Sequence, residues 1–258
     1  MNFCAKEITY GYSSTRVLNG ISFSVEKGEC TAILGINGVG KSTLLKCLNN
    51  ILKPHSGKVF IDGECTDKIE RNKLATKIGY VAQSNQFPDI SVFDAVLLGR
   101  KPYIKWDVTK KDIEIVQNIL EKLGLTSFAL RSVNAMSGGE RQKVTIARAL
   151  AQQPDILLFD EPTSNLDLKN QLGVVQLIRE IIKKHNISAI VTMHDLNLAL
   201  RFADKFILMD QGRVFACGDR NVINEKNIHQ VYGVEVTVQK YDEQFMVIPK
   251  QKQGGKEA

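Results

Sequence analysis

Apolar and polar residues alternate in the first part of the chain with the period of β-strands. Gly20–Val25 alternates in this way, and Thr31–Leu34 is a short apolar run. Lys58–Ile61 has a similar composition and ends at the turn residues Asp62 and Gly63. Short runs of this kind, bounded by turn residues, predict that the first part of the chain is rich in strands.

A helical period replaces this alternation in the middle of the chain. Thr109 and Asp112 have the spacing of a capping box, in which each side chain bonds the backbone N–H of the other residue. The apolar side chains that follow recur on one helical face, and Gly124 suits the C-terminal end of the helix. That face consists of Val116, Ile119, Leu120 and Leu123.

Apolar runs and helical segments follow one another in the last part of the chain. Ile156–Phe159 and Ala189–Thr192 predict buried parallel strands, with Leu172–Lys184 as the helix between them. Phe206–Met209 and Val214–Ala216 flank turn residues and predict a hairpin. We find no repeat of about 20 to 50 residues. The pattern therefore indicates a single α/β domain with an added helical lobe.

The composition is that of an ordinary globular protein. Of the 258 residues, 43% are hydrophobic and 24% are charged, which argues against general disorder. No apolar run approaches the roughly 20 residues of a membrane helix, so any membrane association is expected to be peripheral. The net charge of +6 is too small to choose among nucleic acid, a membrane surface and a nucleotide as partner. Scattered cysteines without a C-x-x-C pair argue against disulfides and zinc, and they suit a reducing cytosol.

A glycine-rich loop follows the predicted strand Thr31–Leu34 and precedes a predicted helix. It matches G-x-x-x-x-G-K-[ST], whose glycines let successive backbone N–H groups point at phosphate oxygens. The lysine can reach the β- and γ-phosphates, and the next hydroxyl can bind Mg²⁺. A chance match has a probability of roughly 1%, so an ordinary glycine-rich turn is the weaker interpretation and we predict nucleoside triphosphate binding. The loop consists of Gly35, Ile36, Asn37, Gly38, Val39, Gly40, Lys41, Ser42 and Thr43.

Two acidic residues end the apolar strand that begins at Ile156. At the carboxyl edge of a parallel sheet, Asp160 would face a metal ion bound by Ser42. Glu161 would then lie where a carboxylate can polarise an attacking water. A strand that ends in exposed acids is common, so this motif by itself leaves a purely structural interpretation equally open.

A serine and two glycines precede another predicted helix, at residues 142–151. Ser137, Gly138 and Gly139 would form an exposed helix N-terminus that can hold an anion. Alone, the segment is more often an ordinary helix cap. Its position shortly before Asp160 raises the weight of the anion-binding interpretation.

In this order, the three segments resemble those of ATP-binding cassette (ABC) subunits over residues 3–235. The resemblance implies a P-loop NTPase with a RecA-like core, an antiparallel β lobe and an inserted helical lobe at about residues 86–150. Residues 236–258 would be a C-terminal extension and polar tail. The resemblance also implies ATP and Mg²⁺ as ligands and ATP hydrolysis as the reaction. Ile36, Met136 and Asn165 replace common family residues, but none of them removes a catalytic group.

The resemblance implies that two chains pair head to tail. The segment Ser137, Gly138, Gly139 and Glu140 would then contact ATP held by the phosphate loop of a second copy. Tyr12 would stack on adenine, with a structural strand tyrosine as the alternative.

The remaining family positions imply catalytic and coupling roles. Gln83 would approach Mg²⁺, together with Ser42 and Asp160, and would also approach the attacking water. His194 would contact the γ-phosphate, and Glu161 would orient or deprotonate the water. The loop that ends at Asp167 would couple the two sites of the dimer.

Finer features resemble the importer branch that serves iron–siderophore complexes, haem and cobalamin. These are Ser91–Pro102, His194–Asp204 and Val231–Gly233. The branch implies a peripheral position on the cytoplasmic face of the plasma membrane. Its partners would be a second copy, integral membrane permease subunits near Gln83 and Phe87–Val92, and indirectly an extracytoplasmic substrate-binding protein, with no nucleic acid.

Other ABC systems compete with this interpretation. Molybdate and tungstate importers share much of the pattern, and a soluble ABC ATPase of iron–sulfur cluster assembly is the main alternative. DNA-repair and translation ABC ATPases usually carry a long coiled-coil insertion or two cassettes, and neither is present in this sequence. Because the cargo would not contact this chain, the sequence does not identify it.

Overall fold

A computed structural model describes residues 3–13, 15–83, 87–242 and 244–250. Its strands form three sheets, and its helices pack on and between them. The strands are β1 (Phe3–Tyr12), β2 (Thr15–Val25), β3 (Cys30–Leu34), β4 (Ser56–Ile61), β5 (Glu64–Cys65), β6 (Ile78–Val81), β7 (Ile156–Asp160), β8 (Ser188–Thr192), β9 (Lys205–Asp210), β10 (Arg213–Gly218), β11 (Val236–Tyr241) and β12 (Gln244–Pro249). The α-helices are α1 (Lys41–Leu48), α2 (Arg71–Lys77), α3 (Val92–Leu97), α4 (Lys110–Lys122), α5 (Gly138–Ala151), α6 (Leu168–His185), α7 (Leu196–Leu200) and α8 (Glu225–Tyr232).

The central sheet has the order β10-β9-β3-β8-β7-β6. Neighbouring strands pair in parallel, except that β9 and β10 pair antiparallel and form the predicted hairpin. The predicted strands 156–159 and 189–192 are confirmed as parallel neighbours. Residues of β3, β7 and β8 are all buried, which explains why these strands have no alternation in the sequence.

A second sheet is antiparallel, with the order β2-β1-β4-β5. It contains the predicted strands 20–25 and 58–61. Apolar side chains of this sheet and of α1 form one cluster with one face of the central sheet. The expected α/β fold with an antiparallel lobe is therefore confirmed.

Helices α3, α4 and α5 pack around a separate apolar cluster. The predicted capping box begins α4, because the Thr109 hydroxyl accepts from the Asp112 backbone and Asp112 accepts from Thr109. Arg100 is buried in this lobe, where its Nε donates to Asp112 Oδ1 at 2.9 Å and its Nη1 donates to Ala151 O at 2.7 Å. The pKa of Asp112 is lowered by the Thr109 hydroxyl and by Arg100. Arg100 thus connects the start of α4 to the end of α5.

Two predicted helices begin earlier than the apolar pattern indicates. The predicted helix 142–151 starts at Gly138 and the predicted helix 172–184 starts at Leu168. In each case a polar cap, Ser137 or Asp167, accepts a hydrogen bond from the first turn. Apolar periodicity begins only where the helix reaches the core, so it missed these first turns.

The C-terminal strands β11 and β12 form a hairpin of their own. Its Val236 and Val247 belong to the main apolar cluster. The domain end at residue 235 stays a prediction, and residues 251–258 of the expected polar tail lie outside the described residues. Within the described ranges, no helix is long and apolar enough to span a bilayer.

Candidate nucleotide site

The glycine-rich loop lies between β3 and α1, at the carboxyl edge of the central sheet. Gly40 precedes α1 with φ 107°, a left-handed conformation that favours glycine. A Cβ at Gly40 would also lie 3.0 Å from side-chain atoms of Val17 and Leu18. Gly40 supplies no side-chain cap, so the N–H groups of the first turn of α1 stay available to an anion.

Lys41 lies under this loop and is only 4% exposed. Its Nζ donates to the carbonyl oxygens of Gly35 at 2.9 Å and Ile36 at 3.2 Å. Glu161 Oε1 lies 3.8 Å from the same Nζ. Burial lowers the pKa of Lys41, while the charges of Glu161 and Asp160 act in the opposite direction. The ammonium group is thus held within the loop that we expect to bind phosphate.

Hydroxyl groups from three other elements contact the carboxylate of Asp160. Its Oδ1 accepts from Ser42 Oγ of α1 at 2.7 Å and lies 3.0 Å from Thr192 Oγ1 of β8. Its Oδ2 accepts from the Tyr80 hydroxyl of β6 at 3.2 Å. Burial raises the pKa of Tyr80 and the Asp160 charge raises it further, so the phenol keeps its proton and donates. These contacts fix the orientation of a carboxylate that is 3% exposed.

The donors around Asp160 fit Mg²⁺ and do not form a complete protein cage. Within the ranges that the model describes, no group of three or more His, Cys, Asp or Glu residues could hold a metal. Mg²⁺ commonly binds one or two protein oxygen ligands and completes its shell with phosphate and water oxygens. Ser42 and Asp160 supply such a pair. Gln83, the third predicted ligand, instead donates from Nε2 to Glu161 Oε2 at 2.9 Å.

Glu161 turns sharply out of β7 toward the phosphate loop. Its φ of 46° is unusual for a residue with a side chain. Its N–H donates to Thr192 Oγ1 at 3.0 Å, and its carbonyl accepts from the Ser164 hydroxyl at 2.9 Å. These bonds hold the strained backbone, and they leave the carboxylate between Gln83 and Lys41.

A cavity of about 250 Å³ lies beside the loop. Tyr12 stands at its edge, 47% exposed, with its ring 5.1 Å from that of Tyr10 in an edge-to-face contact. The predicted adenine-stacking residue and the phosphate loop therefore share one cavity. It is lined by Tyr12, Val17, Asn37, Gly38, Gly40, Lys41, Ser42, Thr43 and Glu161.

The segment Ser137–Glu140 does not line this cavity. Ser137 and Glu140 form a capping box, and the Ser137 hydroxyl donates to Glu140 Oε2 at 2.7 Å. Hydrogen bonds from Ser137 lower the pKa of Glu140. Gly139 packs so closely on α6 that an added Cβ would clash with the side-chain amide of Asn170.

Asp167 is joined to the same asparagine. It caps α6 by accepting from Asn170 N at 2.8 Å, and its Oδ2 accepts from Asn170 Nδ2 at 3.0 Å. Asn170 therefore lies between Gly139 and Asp167. Asn170 could not be predicted from the sequence, because only the packing of α5 on α6 brings it to Gly139.

His194 is exposed and also does not line the cavity. It lies between Met193, whose N–H donates to Ile33 O at 3.0 Å, and Asp195, which caps α7. The backbone on both sides of His194 is thus anchored, while its side chain is open to a ligand.

Tyr80 and Thr192 were missed by the sequence analysis. Each carried a signal, since each is a polar group in or at the end of a buried strand of the central sheet. Thr192 also pairs in register with Asp160 across β7 and β8. That register became known only with the fold.

Comparisons with known proteins give concordant results. The family model described as ABC transporter matches residues 18–164. An uncharacterized ABC transporter ATP-binding protein of Methanocaldococcus jannaschii, MJ0089, is 53% identical over 242 residues, which cover 94% of this chain and 95% of that protein. A petrobactin import ATP-binding protein of Bacillus anthracis, FpuD, is 37% identical over 237 residues, covering 90% of this chain and 87% of that protein. A solved ABC transporter in an inward-facing conformation matches with a TM-score of 0.85 and 31% identity, over 96% of this chain and 97% of the matched chain.

Proposed function

The chain belongs to the ABC transporter family of ATP-binding subunits, and from this premise we propose that it is the ATPase of an importer for a metal chelate. Subunits of this family are ATPases. The finer assignment is supported by the petrobactin importer among the relatives and by a ferric enterobactin transport protein that is 34% identical over 239 residues. The cargo is an iron–siderophore complex, haem or cobalamin, with molybdate or tungstate as the alternative within importers.

One observation carries the chemistry: Asp160 bonds Ser42 while the adjacent Glu161 lies beside Lys41. ATP phosphates take the place of the loop carbonyls as partners of Lys41. Glu161 then orients the attacking water and accepts its proton, and His194 contacts the γ-phosphate. Gln83 holds the Glu161 carboxylate toward the reacting group.

Ser42 and Asp160 would hold Mg²⁺, with Gln83 as the third expected ligand. When bound, the ion offsets negative charge on the phosphoryl oxygens. Tyr80 and Thr192 keep the Asp160 carboxylate in one orientation, because their hydroxyl groups contact different carboxylate oxygens. The phosphoryl group is transferred to water by in-line attack, so the chain acts mainly by positioning the reactants and stabilising charge.

The active unit is a head-to-tail dimer of two copies. Ser137–Glu140 lies away from the cavity of its own chain, so it is free to meet the γ-phosphate of ATP bound to the other copy. Tyr12 stacks on adenine. Asp167 couples the two sites, since it shares Asn170 with the Ser137 segment. ATP binding draws the copies together and hydrolysis releases them.

The dimer works on the cytoplasmic face of the plasma membrane. Its partners are integral membrane permease subunits, which contact the surface near Gln83 and residues 87–92, and indirectly an extracytoplasmic substrate-binding protein. Nucleic acid is not a partner. A soluble ABC ATPase of iron–sulfur cluster assembly is the competing assignment.

Co-purification tests the importer assignment. The tagged Glu161→Gln chain is isolated from detergent-solubilised membranes with ATP, and the bound proteins are identified by mass spectrometry. Recovery of a polytopic permease supports the importer and narrows the cargo. Recovery of soluble scaffold proteins alone would overturn it. The Lys41→Met chain serves as control, because loss of nucleotide should release partners that depend on the ATP-bound state.

The hydroxyl of Tyr80 gives a separate prediction about the metal site. Tyr80→Phe removes the bond to Asp160 Oδ2 and keeps the ring in the core, so Mn²⁺ should bind about tenfold more weakly in the presence of ADP. Electron paramagnetic resonance of free Mn²⁺ measures this affinity. Tyr103→Phe is the matched control, because the Tyr103 hydroxyl bonds Gln152 O in the helical lobe. An unchanged affinity in Tyr80→Phe would show that Tyr80 does not support the metal ligand.

A further inference from the structure

The C-terminal hairpin of β11 and β12 packs against the helix that follows His194. Val236 of β11 and Val247 of β12 are buried in the same apolar cluster as Leu198 and Ala199 of α7. This cluster also includes residues of the central sheet. The hairpin is therefore part of the main core, although it lies beyond the part of the chain matched by the family model.

Asn197 of α7 makes the polar contact between the two elements. Its Oδ1 accepts from the N–H of Val247 at 2.7 Å, and its Nδ2 donates to the carbonyl oxygen of Val247 at 3.1 Å. One side-chain amide thus satisfies both backbone groups of a single strand residue, as a neighbouring strand would. Because both bonds involve one planar amide group, they fix the orientation of α7 relative to β12 as well as the distance between the two elements.

The hairpin is itself anchored to the segment around α8. Lys250 N donates to Glu235 O at 2.9 Å, which closes the base of the hairpin. The guanidinium of Arg220 lies 5.5 Å from the ring centre of Phe245, and Val238 N donates to Glu225 Oε1 at 3.4 Å. These contacts make β12 a fixed support for α7.

Helix α7 depends on such a support. It has only five residues, far fewer than the roughly 12 to 15 that an isolated helix needs to be marginally stable. Its N-terminus is held by the Asp195 cap on Leu198 N at 2.9 Å. Asn197, three positions after His194, ties the helix to β12, and the carbonyl of Arg201 at its C-terminal end accepts from Arg179 Nη1 at 3.2 Å. A shift of α7 would therefore move the backbone of His194 on its C-terminal side.

We propose that the C-terminal hairpin positions His194 for the γ-phosphate, with Asn197 as the positioning residue. The inference rests on the proposed role of His194 in the nucleotide site. Asn197 does not line the cavity beside the phosphate loop. It acts by keeping α7, and with it the backbone at His194, in the orientation that lets the imidazole reach the third phosphate.

The affinity for an ATP analogue relative to that for ADP distinguishes a positioning role of Asn197 from a purely stabilising one. The full chain is titrated with the non-hydrolysable analogue adenylyl imidodiphosphate and with ADP, and each Kd is measured by calorimetry. Asn197→Ala should weaken the analogue about three- to tenfold and change the ADP affinity less than about twofold, because only the analogue has a third phosphate. His194→Ala should have the same signature. The double variant should bind no more weakly than His194→Ala alone, since the two residues act as one unit.

Asn227→Ala is the matched control. Asn227 lies on α8, which packs on β11, and its Nδ2 donates to the backbone oxygen of Val222 at 2.8 Å. Its loss therefore removes a similar side-chain-to-backbone bond near the hairpin and no bond of α7. This control should leave the preference for the analogue over ADP unchanged.

The other outcomes overturn the inference in distinguishable ways. If Asn197→Ala weakens both nucleotides equally, or if its effect adds fully to that of His194→Ala, Asn197 is only structural. If His194→Ala lowers the preference and Asn197→Ala does not, the hairpin claim fails while the proposed site stands. If His194→Ala leaves the preference unchanged, the assigned role of His194 fails and the hairpin claim fails with it.

Discussion

Replacing Glu161 with glutamine is expected to lower the ATPase rate by about 10²- to 10⁴-fold, the usual contribution of a general base. The amide keeps the size of the side chain but cannot accept a proton from water. ATP should still bind, because Lys41, the loop amides and Ser42 are unchanged. Phosphate release measured at saturating ATP gives the rate, and calorimetry at a temperature that prevents turnover gives the affinity.

The control for this variant is Glu180→Gln. Glu180 is exposed on α6 and accepts from Gln176, far from the phosphate loop in the chain and outside its cavity. It should hydrolyse ATP at the native rate. A native rate in Glu161→Gln would instead remove Glu161 from its role as the base, and it would leave Gln83 or His194 to orient the water.

The second large effect is expected at Lys41. Lys41→Met removes the ammonium but keeps most of the buried stem, so ATP should bind about a hundredfold more weakly, the equivalent of about 3 kcal/mol for the lost charge-assisted bonds. The fold should tolerate the change, because removing the buried charge also removes its desolvation cost. Calorimetry measures binding, and urea unfolding measures stability.

Lys46→Met provides the comparison in the same helix. Lys46 lies in the last turn of α1, away from the cavity, and its loss should leave ATP affinity within about twofold of native, as expected for a surface charge. If Lys41→Met bound ATP as tightly as Lys46→Met, the loop amides alone would carry the phosphates. The proposed partner exchange of Lys41, from loop carbonyls to phosphate, would then be wrong.

Contiguous motifs were the part of this protein that could be predicted from sequence. The glycine-rich loop, Asp160–Glu161 and the capping box at Thr109 involve residues within a few positions of one another. Their geometry follows from local backbone preferences and from the strand or helix on either side, so the residue pattern predicted them directly. The parallel strands and the β9–β10 hairpin followed in the same way from apolar runs and turn residues.

The first residues of two helices and the role of Arg100 were harder to predict from the sequence. Polar first turns do not contribute to an apolar period, which is why α5 and α6 begin before the predicted residues. In the sequence, Arg100 was only one residue of the segment Ser91–Pro102, which resembles the importer branch, and no structural role was predicted for it. The structure buries it against Asp112 and Ala151 O, so within this fold it holds the helical lobe together.

The sequence by itself determined the α/β class, the phosphate loop and the acidic pair, because each is encoded by neighbouring residues. Only the tertiary structure brought Tyr80 and Thr192 to Asp160, since the parallel register of β6, β7 and β8 decides which strand residues meet. It likewise joined Asn197 to Val247, fifty positions apart in the chain. Such contacts depend on strand register and on the packing of distant segments, and local residue patterns do not determine either one.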